Sequence, residues 1–187
     1  MELRVVELRQ YTLKPGRTDD LVDLFDRELV ETQEACGMSV LGQFRDLDRP
    51  HRFVWLRGFP DMEARREALT AFYTGPVWKE HGPAANDTMI DSDDVLLLEP
   101  TAFRLPGPRP DGEVAPTELT ITVYEGRQQV DGGEPIALLH TLAVDNNFPA
   151  LPVRDADVTV RIDRGPAPEG PVQQTIRAQS TGRSRLR

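Results

Sequence analysis

Two short runs carry most of the side chains that could do chemistry. Glu7, Arg9 and Tyr11 alternate with Val6 and Leu8, and Phe53, Trp55 and Arg57 alternate with Val54 and Leu56. Residues two apart share a face of an extended chain, so each run gathers its polar and aromatic groups on one side. A guanidinium stays charged and offers a rigid fork, so Arg9 and Arg57 suit a carboxylate or enolate oxygen. The same residues allow a second outcome, in which Glu7 pairs with Arg9 or Arg57 as a structural ion pair across neighbouring strands. His81 is the third candidate, one of only three histidines with His51 and His140. An imidazole moves protons near neutral pH, which suits isomerisation, cyclisation or oxygenation through an enolate. It equally fits an ordinary amphipathic helix. Phe44, Phe53, Trp55, Tyr73 and Trp78 can wall a flat ligand or pack a core.

Other chemistries lack their signatures. His81 has no partner at metal-ligand spacing, and Asp91, Asp93 and Asp94 lack the spacing of a calcium loop, so we expect no metal. There is no glycine-rich phosphate loop, no G-x-S-x-G elbow and no paired cysteine and histidine. The expectation is a protein without a bound cofactor.

The elements that position these residues centre on Gly37–Pro60, which reads as two strands around an Asp- and Pro-bearing turn at residues 46–50. Residues 3–13 form a first strand, stopped at Lys14-Pro15-Gly16. A helix follows, with Thr18 as N-cap, Asp19 and Asp20 in its first turn, an inner stripe of Leu21, Leu24, Phe25 and Leu29, and Gly37 just past its end. Asp61 caps a second helix to about Tyr73. Its inner side is Ala64, Ala68, Leu69 and Phe72, with Arg65, Arg66 and Glu67 largely exposed. Pro76 starts a further helical piece, interrupted at Gly82-Pro83. Residues 93–99 form a fourth strand, closed by Pro100. The order is β-α-β-β-α-β, the ferredoxin-like unit, and the fold class is α+β. Residues 101–117 hold four prolines and two glycines and read as a linker. Strand-like runs return at 119–125, 136–144, 158–162 and, more weakly, 172–178. Laid on the first half, they suggest a degenerate, mostly β second repeat over 118–180 that has lost its helices. A basic tail, 181–187, reads as solvated.

The 187 residues are 39% hydrophobic with a formal net charge of −9, which argues against nucleic acid as partner. Cys36 is the only cysteine, so no internal disulfide forms. No apolar run reaches the roughly 18 residues of a membrane span, and no signal-peptide pattern opens the chain. We expect a soluble, cytoplasmic protein.

The segments ELRQYTLKPG (7–16), GQF (42–44), RFVWLRGF (52–59), and Phe72-Tyr73 with GPVWK (75–79) resemble the NIPSNAP family of the dimeric α/β barrel superfamily, over about residues 3–100. Asn147-Phe148-Pro149 and Leu151-Pro152-Val153-Arg154 resemble a segment of the second repeat in longer relatives. The missing helices of the second half depart from that pattern. The resemblance implies two sheets packed face to face as a barrel, usually across a homodimer. A helix-poor half leaves a sheet face uncovered, which must pack on the first half or on another chain. If helices cover one face of the first sheet, the other lines the barrel. We expect Val6, Leu8, Val54 and Leu56 under the helices, and Glu7, Arg9, Tyr11, Phe53, Trp55 and Arg57 in the barrel, with the helix bearing His81 across its mouth.

The expected function is a small-molecule enzyme doing cofactor-free proton transfer, of isomerase, cyclase or monooxygenase type, on an aromatic or polyketide-like acid. His81, Arg9, Tyr11 and Arg57 would be catalytic, with Glu7, Phe44, Phe53, Trp55, Tyr73 and Trp78 around the substrate. The alternative is a non-catalytic ligand-binding or assembly module, and a third reading is haem held by His81. An open barrel favours the enzyme, and a filled one the module.

Overall fold

The computed structural model describes residues 2–112 and 114–187; Met1 and Glu113, the latter within the expected linker, lie outside the described residues. Strand β1 is Val5–Leu13. Helix α1 is built of Thr18–Leu24, a π-helical turn Phe25–Leu29, and Val30–Ala35. Strands β2 (Ser39–Asp46) and β3 (Arg52–Phe59) form the hairpin. Helices α2 (Met62–Thr74) and α3 (Pro76–Asp87) follow, then β4 (Met89–Phe103). Among the described residues the second half contributes strands alone: β5 (Glu118–Glu125), β6 (Ala137–Thr141), β7 (Val158–Asp163) and β8 (Val172–Ser180).

Local chemistry sets the boundaries. Asp61 caps α2 by accepting from the Ala64 N–H at 2.8 Å. Gly37 turns the chain after α1 at φ +98°, where a Cβ would be strained. Thr18 begins α1 and donates its hydroxyl to the Pro50 carbonyl, so Arg17 takes the cap position. Pro83 lies inside α3 without ending it. Pro100 does not close β4 either: the register shifts between Pro100 and Ala102, and such an irregularity absorbs the missing N–H.

Eight antiparallel strands close into one barrel in the order β1-β3-β2-β8-β5-β7-β6-β4. The order β4-β1-β3-β2 of the first half recurs as β8-β5-β7-β6 in the second, and the seams are β2–β8 and β4–β6. The open ferredoxin-like sheet expected for the first half is therefore part of a closed wall. The apolar face of the second half is covered within the same chain.

The barrel interior is aliphatic. Val6, Leu8, Val54, Leu56, Leu96 and Leu98 from the first half meet Ile121, Val123, Leu139, Val160, Ile162 and Ile176 from the second in one buried cluster. This reverses the expected faces: Val6, Leu8, Val54 and Leu56 line the barrel, while Tyr11, Phe53 and Trp55 pack beneath the helices. An eight-stranded barrel is just wide enough for side chains to fill. The filled lumen is the outcome expected of the non-catalytic module, so a ligand site has to lie outside the barrel. The middle of the lumen takes the apolar part of that face, since a charge there would have neither water nor partner. The polar residues on the same face, Gln10, Arg52 and Asp94, gather at one end, where Arg52 donates to the Gln10 side chain at 2.8 Å and pairs with Asp94 at 3.9 Å. The tail also departs from expectation. Thr181, Ser184 and Leu186 are buried, the Leu186 N–H donates to the Leu41 carbonyl at 2.9 Å, and the Leu186 side chain joins the barrel cluster.

Candidate functional site

The polar face of β1 and β3 lies under the helices, and the register places Glu7 opposite Arg57, Arg9 opposite Trp55, and Tyr11 opposite Phe53. Helix α2 lowers Arg65 onto the same spot. One Glu7 oxygen accepts from Arg9 Nη1 at 2.8 Å and from Arg57 Nε at 2.7 Å; the other accepts from Arg65 Nε at 2.6 Å. All four side chains are 0–1% exposed. Burial by itself raises a carboxyl's pKa, yet the three guanidinium groups, Arg57 foremost, outweigh it and hold Glu7 far below the ordinary carboxylate range.

Around this core the partners are neutral. Arg57 Nη1 donates to Gln33 Oε1 of α1 at 3.2 Å and to the Tyr73 hydroxyl at 3.5 Å. Gln33 in turn donates to the Leu29 carbonyl at the end of the π-helical turn. Arg9 Nε donates to the Tyr11 hydroxyl at 3.1 Å. Burial pushes the Tyr11 phenol upward, against the pull of Arg9, so it stays protonated at neutral pH. The guanidinium of Arg9 lies over Tyr11 and Trp55, and that of Arg57 over Trp55, Phe59 and Tyr73, at 5.1–5.9 Å from the ring centres. Within the cluster two guanidinium nitrogens, Arg57 Nη2 and Arg65 Nη2, and the Trp55 indole nitrogen are buried without a hydrogen-bond partner among the described residues, as are single guanidinium nitrogens of Arg109, Arg183 and Arg187 elsewhere. Such orphans are rare in folded proteins and call for an explanation.

A small cavity adjoins the cluster. Tyr11, Phe25, Gln33, Trp55, Tyr73 and Trp78 are among the residues that line it, and its volume of about 20 Å³ for water-sized centres admits roughly one water. Its rim is aromatic: Trp78 meets Tyr73 edge-on at 4.9 Å, and Phe25 meets Trp55 at 4.8 Å. Trp78 lies against its own helix because Gly82 leaves the space; a Cβ there would sit 2.7 Å from the indole.

Of the residues singled out from sequence, Glu7, Arg9, Tyr11, Trp55, Arg57, Tyr73 and Trp78 come together, and Phe53 supports them through Phe25 and Tyr11. They do so in the cleft between sheet and helices rather than in the barrel. Two do not join. Phe44 fills the barrel, where its ring occupies the space a side chain on Gly42 would need. His81 faces α1, a quarter exposed, with Nε2 3.6 Å from a Glu28 oxygen. Its helix packs on α1 and α2 rather than across the barrel mouth. Four site residues were missed. Arg65, expected at the surface, is fully buried, and the spacing 65, 68, 69, 72 of the α2 stripe held that signal. Gln33 continues the α1 stripe in the same way. Asn146 and Asn147 had no periodic signal, because they reach Arg65 Nη1 at 3.1 and 2.9 Å from the loop between β6 and β7.

The NIPSNAP sequence profile matches residues 6–104, more than half of the chain. The protein belongs to the NIPSNAP family. A NIPSNAP family protein of unknown function from Agrobacterium tumefaciens strain C58 is 20% identical in its crystal structure, with a TM-score of 0.50 over 55% of this chain and 92% of its own. A NIPSNAP-like domain protein from Burkholderia xenovorans is 24% identical, with a TM-score of 0.51 over 58% and 94%. Those family members correspond to about half of this NIPSNAP chain. A candidate monooxygenase from Lactobacillus acidophilus NCFM, 9% identical, superposes over 96% of this chain and 94% of its own with a TM-score of 0.56, so the likeness of fold there takes in both halves. No curated protein matches the chain. Among the described residues no helix is long and apolar enough to cross a membrane.

Proposed function

We propose that this NIPSNAP protein binds a small organic acid between the sheet and helices of its first half and carries out cofactor-free proton transfer on it. One observation carries the reading. Three buried guanidinium groups face a single carboxylate, two of their nitrogens have no partner among the described residues, and a cavity opens beside Tyr11, Trp55 and Tyr73, the rings over which Arg9 and Arg57 lie. A purely structural cluster would balance its charges, because each uncompensated buried ion costs several kcal/mol. Walls of Phe25, Trp55, Tyr73 and Trp78 suit an aromatic or polyketide-like skeleton.

The roles follow from protonation. Glu7 is held ionised by three N–H donors, so it orients the guanidiniums and is a poor base. Tyr11 accepts from Arg9 and gives its own proton to no described side chain. It is the group placed to donate to an enolate oxygen, with Arg9 and Arg57 stabilising the negative charge while the α-proton passes to a water that enters with the acid. Isomerisation, cyclisation and oxygenation all pass through such an anion, and the name of the Lactobacillus acidophilus protein falls in the last class. The cleft as it stands holds no organic acid, so entry requires Tyr73 and Trp78 to swing aside where α3 joins α2 at Gly75. In this reading one chain supplies a complete site, and a homodimer would pack outside the barrel.

The test is a thermal-shift panel of aromatic acids that carry an α-hydrogen, such as arylacetates, on the full chain, followed by deuterium uptake into bound acids in D₂O. Stabilisation lost in Arg57→Met, with α-carbon exchange lost in Tyr11→Phe, is the expected pair of results. Binding without exchange favours the non-catalytic module, which the closed cavity also suits. A panel that leaves the melting temperature unmoved ends the organic-acid reading.

A further inference from the structure

The charge count within the cluster says more about the ligand. Glu7 is the only carboxylate that the described contacts give to Arg9, Arg57 and Arg65, which leaves an excess of two positive charges in a region sealed from water. Tyr11 does not supply the missing charge, since its phenol is held protonated. Aromatic faces soften the excess at Arg9 and Arg57, whose guanidinium carbons lie 5.6 and 5.1 Å from the ring centres of Tyr11 and Trp55. Arg65 has no ring over it among the described contacts; its further partners are the neutral oxygens of Asn146 and Asn147. Both Arg57 and Arg65 grip Glu7 through Nε alone, on opposite oxygens, although the fork can give two parallel hydrogen bonds. In both, Nη2 is the atom left over.

We infer that the ligand carries two anionic oxygen groups, one received by Arg57 and the other by Arg65. A dicarboxylate, or a carboxylate next to an enolate, has that chemistry. This rests on the organic-acid reading of the same cleft and narrows it. Arg57 belongs to β3, beside the aromatic wall, and Arg65 to α2, under the loop between β6 and β7. A dianion would draw the sheet, the helix and the second half together around itself. A monoanion would leave one guanidinium as unpartnered as it is now. Arg65 thus becomes a specificity-determining residue, reading the second charge.

The experiment compares acids of one skeleton and different charge, benzoate against phthalate and butyrate against succinate, by calorimetry on the full chain at constant ionic strength. Each dicarboxylate should bind at least about tenfold tighter than its partner, the scale of one well-placed charged hydrogen bond. Arg65→Gln should remove that preference, so that phthalate binds no tighter than benzoate to the folded variant. Because Arg65→Gln could also disturb folding, the wild type gives a second readout. Phthalate affinity should fall as pH is lowered through its second ionisation, while benzoate affinity stays level over the same range. If benzoate and phthalate bind equally well, or the preference survives in folded Arg65→Gln, the two-charge inference is wrong and the organic-acid reading stands. If none of the four acids binds, both fail.

Discussion

The two halves of this barrel use one strand order and reach opposite electrostatic outcomes. Register lays β5 on β1, so that Thr120, Thr122 and Tyr124 occupy the places of Glu7, Arg9 and Tyr11. By the same pairing Arg161 stands where Trp55 does and Asp163 where Arg57 does. In the second half Arg161 Nε donates to both Asp163 oxygens, at 3.0 and 2.9 Å, and its outer nitrogens go to the carbonyls of Val130 and Gly133. One cation, one anion and two carbonyls leave the charge balanced. The first half holds three cations, one anion and orphaned nitrogens. The coverings differ to match. The second half is closed by loops, with the Gln128 N–H donating to Thr159 and the Pro168 carbonyl accepting from Tyr124. The first half is roofed by helices whose large side chains stand off the sheet around a cavity. The same sheet face serves as plain structure when its charges cancel, and as a candidate site when they do not.

Removing the anion from each half tests that contrast most severely. Glu7→Gln takes the only carboxylate from three buried guanidiniums, and should cost about 3–5 kcal/mol or prevent folding, the range for breaking a buried pair. Asp163→Asn leaves Arg161 two carbonyl partners, and should cost about 1–2 kcal/mol, as for one lost charged hydrogen bond. Urea denaturation of the two variants decides, and equal losses would erase the distinction between the halves. The acid limb adds a sign. Glu7 is ionised in the folded chain to well below its ordinary 4.5, so the unfolded chain takes up the proton first. Its contribution is complete above the ordinary value and drains away as pH falls beneath it.

A middle-sized effect tests whether the halves are joined at the site. The connection between β6 and β7 runs over 142–157, where β2 and β3 need only residues 47–51, and it delivers Asn147 to both Arg65 and the Met62 carbonyl. Asn147→Ala strips partners from a buried guanidinium and a helix carbonyl, and should cost about 1–3 kcal/mol. It should also weaken organic-acid binding, although it lies in the half without the cluster. A loop that only closes the barrel would lower stability and leave the affinity of the folded protein untouched.

How much of this the chain declares in advance follows from what each signal depends on. Strands and helices of the first half were readable from alternation, caps and breakers, because those act over a few residues. The shared face of Glu7, Arg9 and Tyr11 was readable for the same reason. Which volume that face looks into was not, since both faces of β1 and β3 are buried and apolar side chains are needed on each. Closure of the barrel, a contact between β2 and β8 and between β4 and β6, decides it, and no local pattern carries that. The β4 strand overran its expected end because pairing with β6 outweighs the break at Pro100. The tail reads as solvated because Leu186 is its only apolar residue among arginines, and the backbone and hydroxyl contacts of Thr181 and Ser184 that also hold it leave no pattern in the sequence. Arg65 was legible in its stripe and was overridden by its charge, where the rule that buried charges need partners would have asked for Glu7.

A smaller pH effect separates the halves again. His140 of β6 bonds Thr159 through Nδ1 at 3.0 Å, and burial, helped by Arg127, holds it below its ordinary 6.5. The folded protein therefore resists protonation that the unfolded chain accepts. This contribution is whole above pH 6.5 and is lost as pH falls below it. His140→Gln should flatten that part of the stability profile between pH 7 and 5, measured by urea midpoints, while leaving organic-acid binding at the first half unchanged. A change in binding would mean that the second half takes part in the chemistry.

The smallest expected effect falls on the residue with the sharpest signal in the sequence. His81 has the right chemistry for moving protons, and its place on a helix beside Trp78 suggested a site. Yet the helix turns Trp78 and Ala85 to the cleft and His81, three residues on from the indole, toward Glu28 on the neighbouring helix. Proton transfer needs hydrogen-bond reach, and no described contact carries His81 to the cluster around Glu7. His81→Ala should shift stability by no more than about 0.5 kcal/mol, as for a surface substitution. Deuterium exchange of a bound acid should proceed as in the wild type. A clear loss of exchange in this variant alone would move the reacting atoms to the far side of α3, and the first half would then owe its charge excess to something other than catalysis.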